Sequence, residues 1–103
     1  MDMPEVVNEL KNFLDGEDRL ISYPSKLKLK IMSLFYLASK FDGDKEYAEK
    51  EVNELLGQWH CFDDWAMLRR ELYNKRFLGR EKSGSKYWLE RTPPALSDFG
   101  FRQ

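Results

Sequence analysis

Between Phe62 and Glu90 the sequence changes its period. A segment with helical spacing that carries Arg69-Arg70 gives way to two short strand-like runs separated by Ser83-Gly84-Ser85. A helix that runs straight into a hairpin restricts what the preceding segments can build around it. Asp63 or Asp64 is placed to cap that helix, Trp65, Leu68 and Leu72 supply its inner face, and its end is expected near Lys75 or Arg76. Phe77–Lys82 and Lys86–Glu90 then form the hairpin.

Two further helices precede it. From Lys26 the positions Leu27, Ile31, Leu34, Ala38 and Phe41 form one continuous stripe, with Ser25 as the expected N-cap after Tyr23-Pro24. Leu29, Met32, Phe35, Tyr36 and Leu37 lie off that stripe, so this helix is apolar nearly all round and needs cover on a second side. Asp42-Gly43-Asp44 ends it, Lys45–Tyr47 makes a minimal strand, and Val52, Leu55, Leu56 and Trp59 mark a helix over about 49–59. Val6, Leu10, Phe13 and Leu14 give one more short helix over 4–14, and Arg19–Tyr23 reads as extended. Helix, short strand, helix, helix, strand, turn, strand is the winged-helix order. The expectation is therefore an α+β, mainly helical fold: a winged helix-turn-helix with an extra N-terminal helix and a C-terminal β-hairpin wing.

The 103 residues suit one domain, divided into an N-terminal helix (1–18), a winged-helix core (19–91) and a tail (92–103) that packs through Leu96, Phe99 and Phe101. The least interrupted apolar run, Ile31–Ala38, is under half the length that crosses a bilayer, and the N-terminus opens with Asp2 and Glu5. A single cysteine, Cys61, read as a buried thiol, fits a reducing compartment, so the expected location is the cytoplasm.

The net charge of −1 is unevenly spread. Residues 1–61 carry 8 Lys/Arg against 12 Asp/Glu, a net of −4, and residues 62–91 carry 8 against 5, a net of +3. Turning 100° per residue, the third helix points Asp63, Met67, Arg70 and Asn74 away from its inner face. Arg70 and Asn74 are the candidates for base edges, because guanidinium donates to guanine O6 and N7 and a carboxamide pairs with adenine. Lys75 and Arg76 at the helix end, and Lys82 and Lys86 beside the wing tip, are candidates for phosphates. The competing reading of all six is plain surface solvation. Arg69, at the border of the stripe, is expected to pair within the chain with a carboxylate such as Glu51 or Glu54.

Other chemistry is poorly supplied. His60, Cys61, Asp63 and Asp64 include metal-ligand types but lack a second cluster, and there is one His, one Cys and no Gly-rich phosphate loop. No catalytic residue, metal or cofactor is expected. The aromatics Trp59, Trp65, Trp88, Tyr87 and Phe77 are expected in the core, with Trp59 the one nearest a surface or dimer seam.

Tyr23-Pro24-Ser25-Lys26, Tyr47 with Glu49-Lys50-Glu51-Val52-Asn53, Leu68-Arg69-Arg70-Glu71-Leu72, and Gly84 with Tyr87-Trp88 together resemble the uncharacterised prokaryotic family DUF2087 over about 19–90. The resemblance implies a helical domain with a winged-helix-like hairpin, and a regulatory role by association, since some members are described as transcriptional regulators. The chain departs from the family pattern twice. Ala48 stands where a hydroxyl residue is usual, leaving Glu51 as half of a capping box at a cost of about 0.5–2 kcal/mol. Tyr73-Asn74-Lys75-Arg76 replaces a more usual Val-Asp-x-Gly. The function expected is a transcriptional regulator that binds duplex DNA, as a homodimer through the N-terminal helix or the tail. The alternative is a winged-helix module that binds another protein.

Overall fold

A computed structural model describes residues 2–101. The architecture is α+β, with four α-helices and a three-stranded antiparallel sheet. α1 spans Met3–Glu9, α2 Leu27–Ala38, α3 Glu49–Gln58 and α4 Trp65–Asn74; β1 is Glu46–Tyr47, β2 Leu78–Arg80 and β3 Tyr87–Leu89. Short 3-10 turns follow at Lys11–Phe13 and Leu96–Phe99.

α2 is the central element. Ile31, Leu34, Ala38 and Phe41 of its expected stripe are buried, as are Met32, Tyr36 and Leu37 from outside it. The second cover that this requires is α1, which buries Val6 and Leu10 and packs along α2. Leu27 is the exception at 47% exposed, because it is the first residue of the helix. The cap also differs from expectation: Lys26, not Ser25, occupies the N-cap position, and no side chain bonds the first turn.

α1 is shorter than its apolar periodicity suggests. Asp2 caps it, Oδ1 accepting from the Glu5 N–H at 3.0 Å, and the chain leaves the helix at Leu10 so that Leu14 bridges Leu20 in extended geometry. Leu20 in turn donates its N–H to the Trp59 carbonyl and accepts from the Cys61 N–H, which ties the extended stretch to the end of α3. Asp15 anchors the loop between them, its carboxylate accepting from the backbone N–H groups of Arg19 (2.8 Å) and Glu17 (2.9 Å) and from Arg19 Nε (2.9 Å). The Arg19 backbone bond leads in holding the Asp15 carboxyl down at about 2, below its ordinary 3.8. A depressed carboxyl stabilises the fold above its unfolded value and loses that contribution as pH falls through the folded one. Asp15→Asn is therefore expected to lower Tm near neutrality, and its deficit against the parent chain to close as pH falls from about 4 to about 2. A deficit that stays constant over that window in thermal melts would contradict the anchoring role.

The sheet runs β1-β3-β2, with Tyr47 opposite Tyr87, Leu78 opposite Leu89 and Gly79 opposite Trp88. Tyr47 packs edge-on to Phe41 at 5.1 Å between centroids, and its hydroxyl accepts the Asp42 N–H at 2.8 Å, closing the turn after α2. Half of a capping box holds the start of α3, as Glu51 Oε1 accepts the Ala48 N–H at 3.0 Å and Ala48 returns no bond. The tail docks through buried Leu96, with Phe99 and Phe101 half-buried against the core. Its 3-10 turn has no precursor in the hydrophobic periodicity.

Candidate nucleic-acid interface

α4 follows α3 through a turn organised by His60. The Asp64 N–H donates to His60 Nε2 at 2.9 Å, so that nitrogen keeps its lone pair, and Nδ1–H donates to the Leu56 carbonyl. Both ring nitrogens are engaged inside the chain. Cys61 is exposed, correcting the reading of a buried thiol; its Sγ–H donates to Asp15 Oδ2 at 3.2 Å, and local desolvation and the Asp15 carboxylate push the thiol up. Among the described residues no three of His, Cys, Asp and Glu are placed to hold a metal ion.

Asp64 caps α4, accepting the Met67 N–H. Leu68 and Leu72 are buried, as expected, but Trp65 is 39% exposed and Met67 half-buried against the core. The inner stripe runs through buried Leu68 and Leu72 and half-buried Glu71 and Lys75, and the core ends one turn short of the first helical residue. Arg70 and Asn74 are exposed on the opposite side.

Arg69 pairs within the chain, as its border position suggested, but with other partners. Nη2 lies 3.1 Å from Glu49 Oε1 and Nη1 donates to Asn53 Oδ1, whereas Glu51 is committed to Ala48 and to Lys45 (3.4 Å). Lys75 sits on the inner flank, Nζ at 3.7 Å from Glu71 Oε2, and Tyr23 donates its hydroxyl to the other Glu71 oxygen at 3.1 Å. Burial, with Glu71 adding to it, pushes the Tyr23 phenol well above its usual value.

Arg76 closes α4 in the left-handed region, at φ 68°. The Phe77 N–H bonds the Leu72 carbonyl at 2.9 Å and the Arg76 N–H the Tyr73 carbonyl at 3.1 Å, the pair of bonds of a Schellman ending. That ending favours glycine, since a Cβ there costs about 1 kcal/mol. Arg76→Gly is accordingly expected to stabilise the fold by about 1 kcal/mol, a rise in Tm of roughly 4–8 °C. A Tm that is unchanged or lower would remove the strain account.

The hairpin has shorter strands than its apolar runs, joined through Glu81–Lys86. Gly84, at φ 75°, donates its N–H to the Glu81 carbonyl, and the Ser85 hydroxyl donates to Glu81 Oε2 at 2.9 Å. Lys82 and Lys86 are exposed, Lys86 Nζ lying 3.8 Å from Glu46 Oε1.

Sequence reasoning missed Arg80, Tyr73 and Trp88. The Arg80 guanidinium lies over the Tyr73 ring at 4.5 Å, which joins the hairpin to α4. Phe77 and Tyr87 are core residues, but Trp88 is half-buried and donates Nε1–H to Glu90 Oε1 at 3.1 Å. Strand alternation was the available signal: if Tyr87 faces the core, Trp88 faces away. Arg80, Tyr73 and Trp88 line a common cleft with Asn74 and Arg76.

The cations divide by partnership. Arg19, Lys45, Arg69, Lys75 and Lys86 face carboxylates, whereas Arg70, Arg76, Arg80 and Arg91, and lysines elsewhere such as Lys28, Lys50 and Lys82, make no ion pair among the described residues. The chain is thus a small α+β domain in which three of the unpaired guanidinium groups, those of Arg70, Arg76 and Arg80, lie around the outer side of α4 and the adjoining strand, and that of Arg91 lies beyond β3. It belongs to the bacterial family DUF2087, described as an uncharacterized protein conserved in bacteria, which matches residues 19–89. The matched span runs from the extended stretch before α2 to the end of β3 and includes the cleft, leaving α1 and the tail outside it. No curated protein and no solved structure matches the chain significantly. No helix among the described residues is long and apolar enough to cross a membrane.

Proposed function

We propose that this domain is a winged helix that binds duplex DNA and acts in transcriptional regulation in the cytoplasm. The element order α2, β1, α3, α4, β2, β3, with β1 joined to β3, supports the winged-helix reading, with α4 as the recognition helix and Glu81–Lys86 as the wing. The observation that carries the functional reading is the grouping of unpaired Arg70, Arg76 and Arg80 around exposed Asn74, when their neighbours Arg69, Lys75 and Lys86 are paired within the chain. In this reading Arg70 and Asn74 meet base edges, and Arg76, Arg80, Lys82 and Lys86 meet phosphates. Lys75 adds to the local field while held by Glu71. The homodimer belongs to the same proposal. Because α1 spends Val6 and Leu10 on α2 and the tail buries Leu96, its seam would use what they leave outward, such as Val7.

The test is fluorescence anisotropy of a labelled mixed-sequence duplex at low salt. Arg70→Ala is expected to weaken binding about tenfold with Tm unchanged. Arg69→Ala, which unties α4 from α3, is expected to lower Tm. Absence of binding by the parent chain at low salt would end the DNA reading. It would leave a protein partner, which the exposed Trp65 beside acidic Asp63 and Asp64 favours.

A further inference from the structure

A cleft of about 460 Å³ lies between the last turn of α4 and β2, within the range of small-molecule sites. Its polarity follows from the hairpin register. The Glu90 N–H bonds the Phe77 carbonyl at 3.0 Å and its carboxylate reaches over Gly79 to the Trp88 indole, so carboxylate and ring share the middle, while Arg80, opposite Tyr87, stands at one end.

The middle is built for a ring. A methyl group on Gly79 would fall 2.4 Å from Trp88 Nε1 and 2.1 Å from Glu90 Oε1, so the indole lies directly across the glycine, and its Nε1–H is fixed by Glu90. The Arg80 end is built for an anion. Its guanidinium is held over Tyr73 without a carboxylate partner among the described residues, and Arg80 also borders the neighbouring cleft that Arg70 lines. Glu90 repels an anion from the middle of the cleft but accepts from an N–H donor there.

We propose that this cleft binds a mononucleotide. The phosphate sits at Arg80, within reach of the field of Arg70, the base stacks on Trp88, and an exocyclic amino group of the base donates to Glu90, with the Asn74 carboxamide beside it. Neither a bare anion nor a neutral ring uses both the Arg80 end and the middle. The inference goes beyond the DNA reading and does not require it.

The experiment is calorimetric titration of the full chain, without DNA, with adenosine monophosphate, adenosine and inorganic phosphate. The monophosphate is expected to bind at least about tenfold more tightly than either fragment, and Arg80→Ala and Trp88→Leu each to weaken it by about tenfold or more. Lys28→Ala, exposed on α2 and outside the cleft, is expected to leave it unchanged. Circular dichroism confirms that each variant is folded, and if Trp88→Leu is not, Arg80→Ala together with Gly79→Ala, which drives the indole aside, decides the point. The proposal is overturned if the monophosphate gives no heat at millimolar concentration, if it binds no better than phosphate or adenosine, or if folded Arg80→Ala binds it as the parent does.

Discussion

Phe77→Ala is expected to remove about 3–5 kcal/mol of stability, the largest loss of any single truncation considered for this domain. The side chain is 0% exposed and meets Phe35 of α2 edge-on, with 4.8 Å between ring centroids. Its backbone closes the end of α4 through the Leu72 carbonyl and opens the hairpin through the Glu90 N–H. One residue therefore joins α2, α4 and the sheet, and the cavity left by its ring cannot collapse without moving all three. For a domain of this size the loss corresponds to a fall in Tm on the order of 15 °C or more. Phe77→Leu, which keeps most of the volume, is expected to lose much less. Thermal and urea melts of the two variants decide the matter: equal, small losses would mean that the hairpin is not fastened to the helices through this ring.

Much of this arrangement is legible in the sequence because it rests on periodicity. The continuous stripe on α2, with further apolar residues off it, demands a second cover, and α1 supplies it. Leu68 and Leu72 mark the inner face of α4 because burial in a helix repeats at three and four residues. Periodicity says nothing about where a core stops, which is why Trp65 is exposed although it falls near the same stripe. Nor does it choose among carboxylates: Arg69 takes Glu49 because Glu51 is drawn back to the Ala48 N–H left without a hydroxyl partner. The candidate site was half legible. Arg70 and Asn74 follow from helical turning, and Arg76 from the helix end. The outward position of Trp88 was open to strand alternation, but its meeting with Gly79 and Arg80 depends on the hairpin register, which is set by pairing across the turn rather than by any property of one strand.

The cation pairing also fixes how DNA binding should respond to salt, the second large effect expected. Arg70, Arg76, Arg80 and Lys82 are free of carboxylates among the described residues, and Lys75 and Lys86 are held at 3.7 and 3.8 Å by Glu71 and Glu46. Each phosphate neutralised contributes about 0.9 to the slope of log affinity on log salt, so contacts from Arg76, Arg80, Lys82 and Lys86, with Lys75 as a fifth, give a slope of about −3.6 to −4.5. Affinity for a mixed-sequence duplex is then expected to fall by about 10²–10³ between about 50 and 200 mM salt. The variants separate the two groups of cations. Arg80→Ala is expected to flatten the slope by about 1. Glu46→Gln removes the competitor of Lys86 and is expected to strengthen binding at low salt. A steep slope unaffected by Arg80→Ala would place the DNA on another face of the molecule. A slope near zero would mean that the unpaired guanidinium groups serve something other than a phosphate backbone.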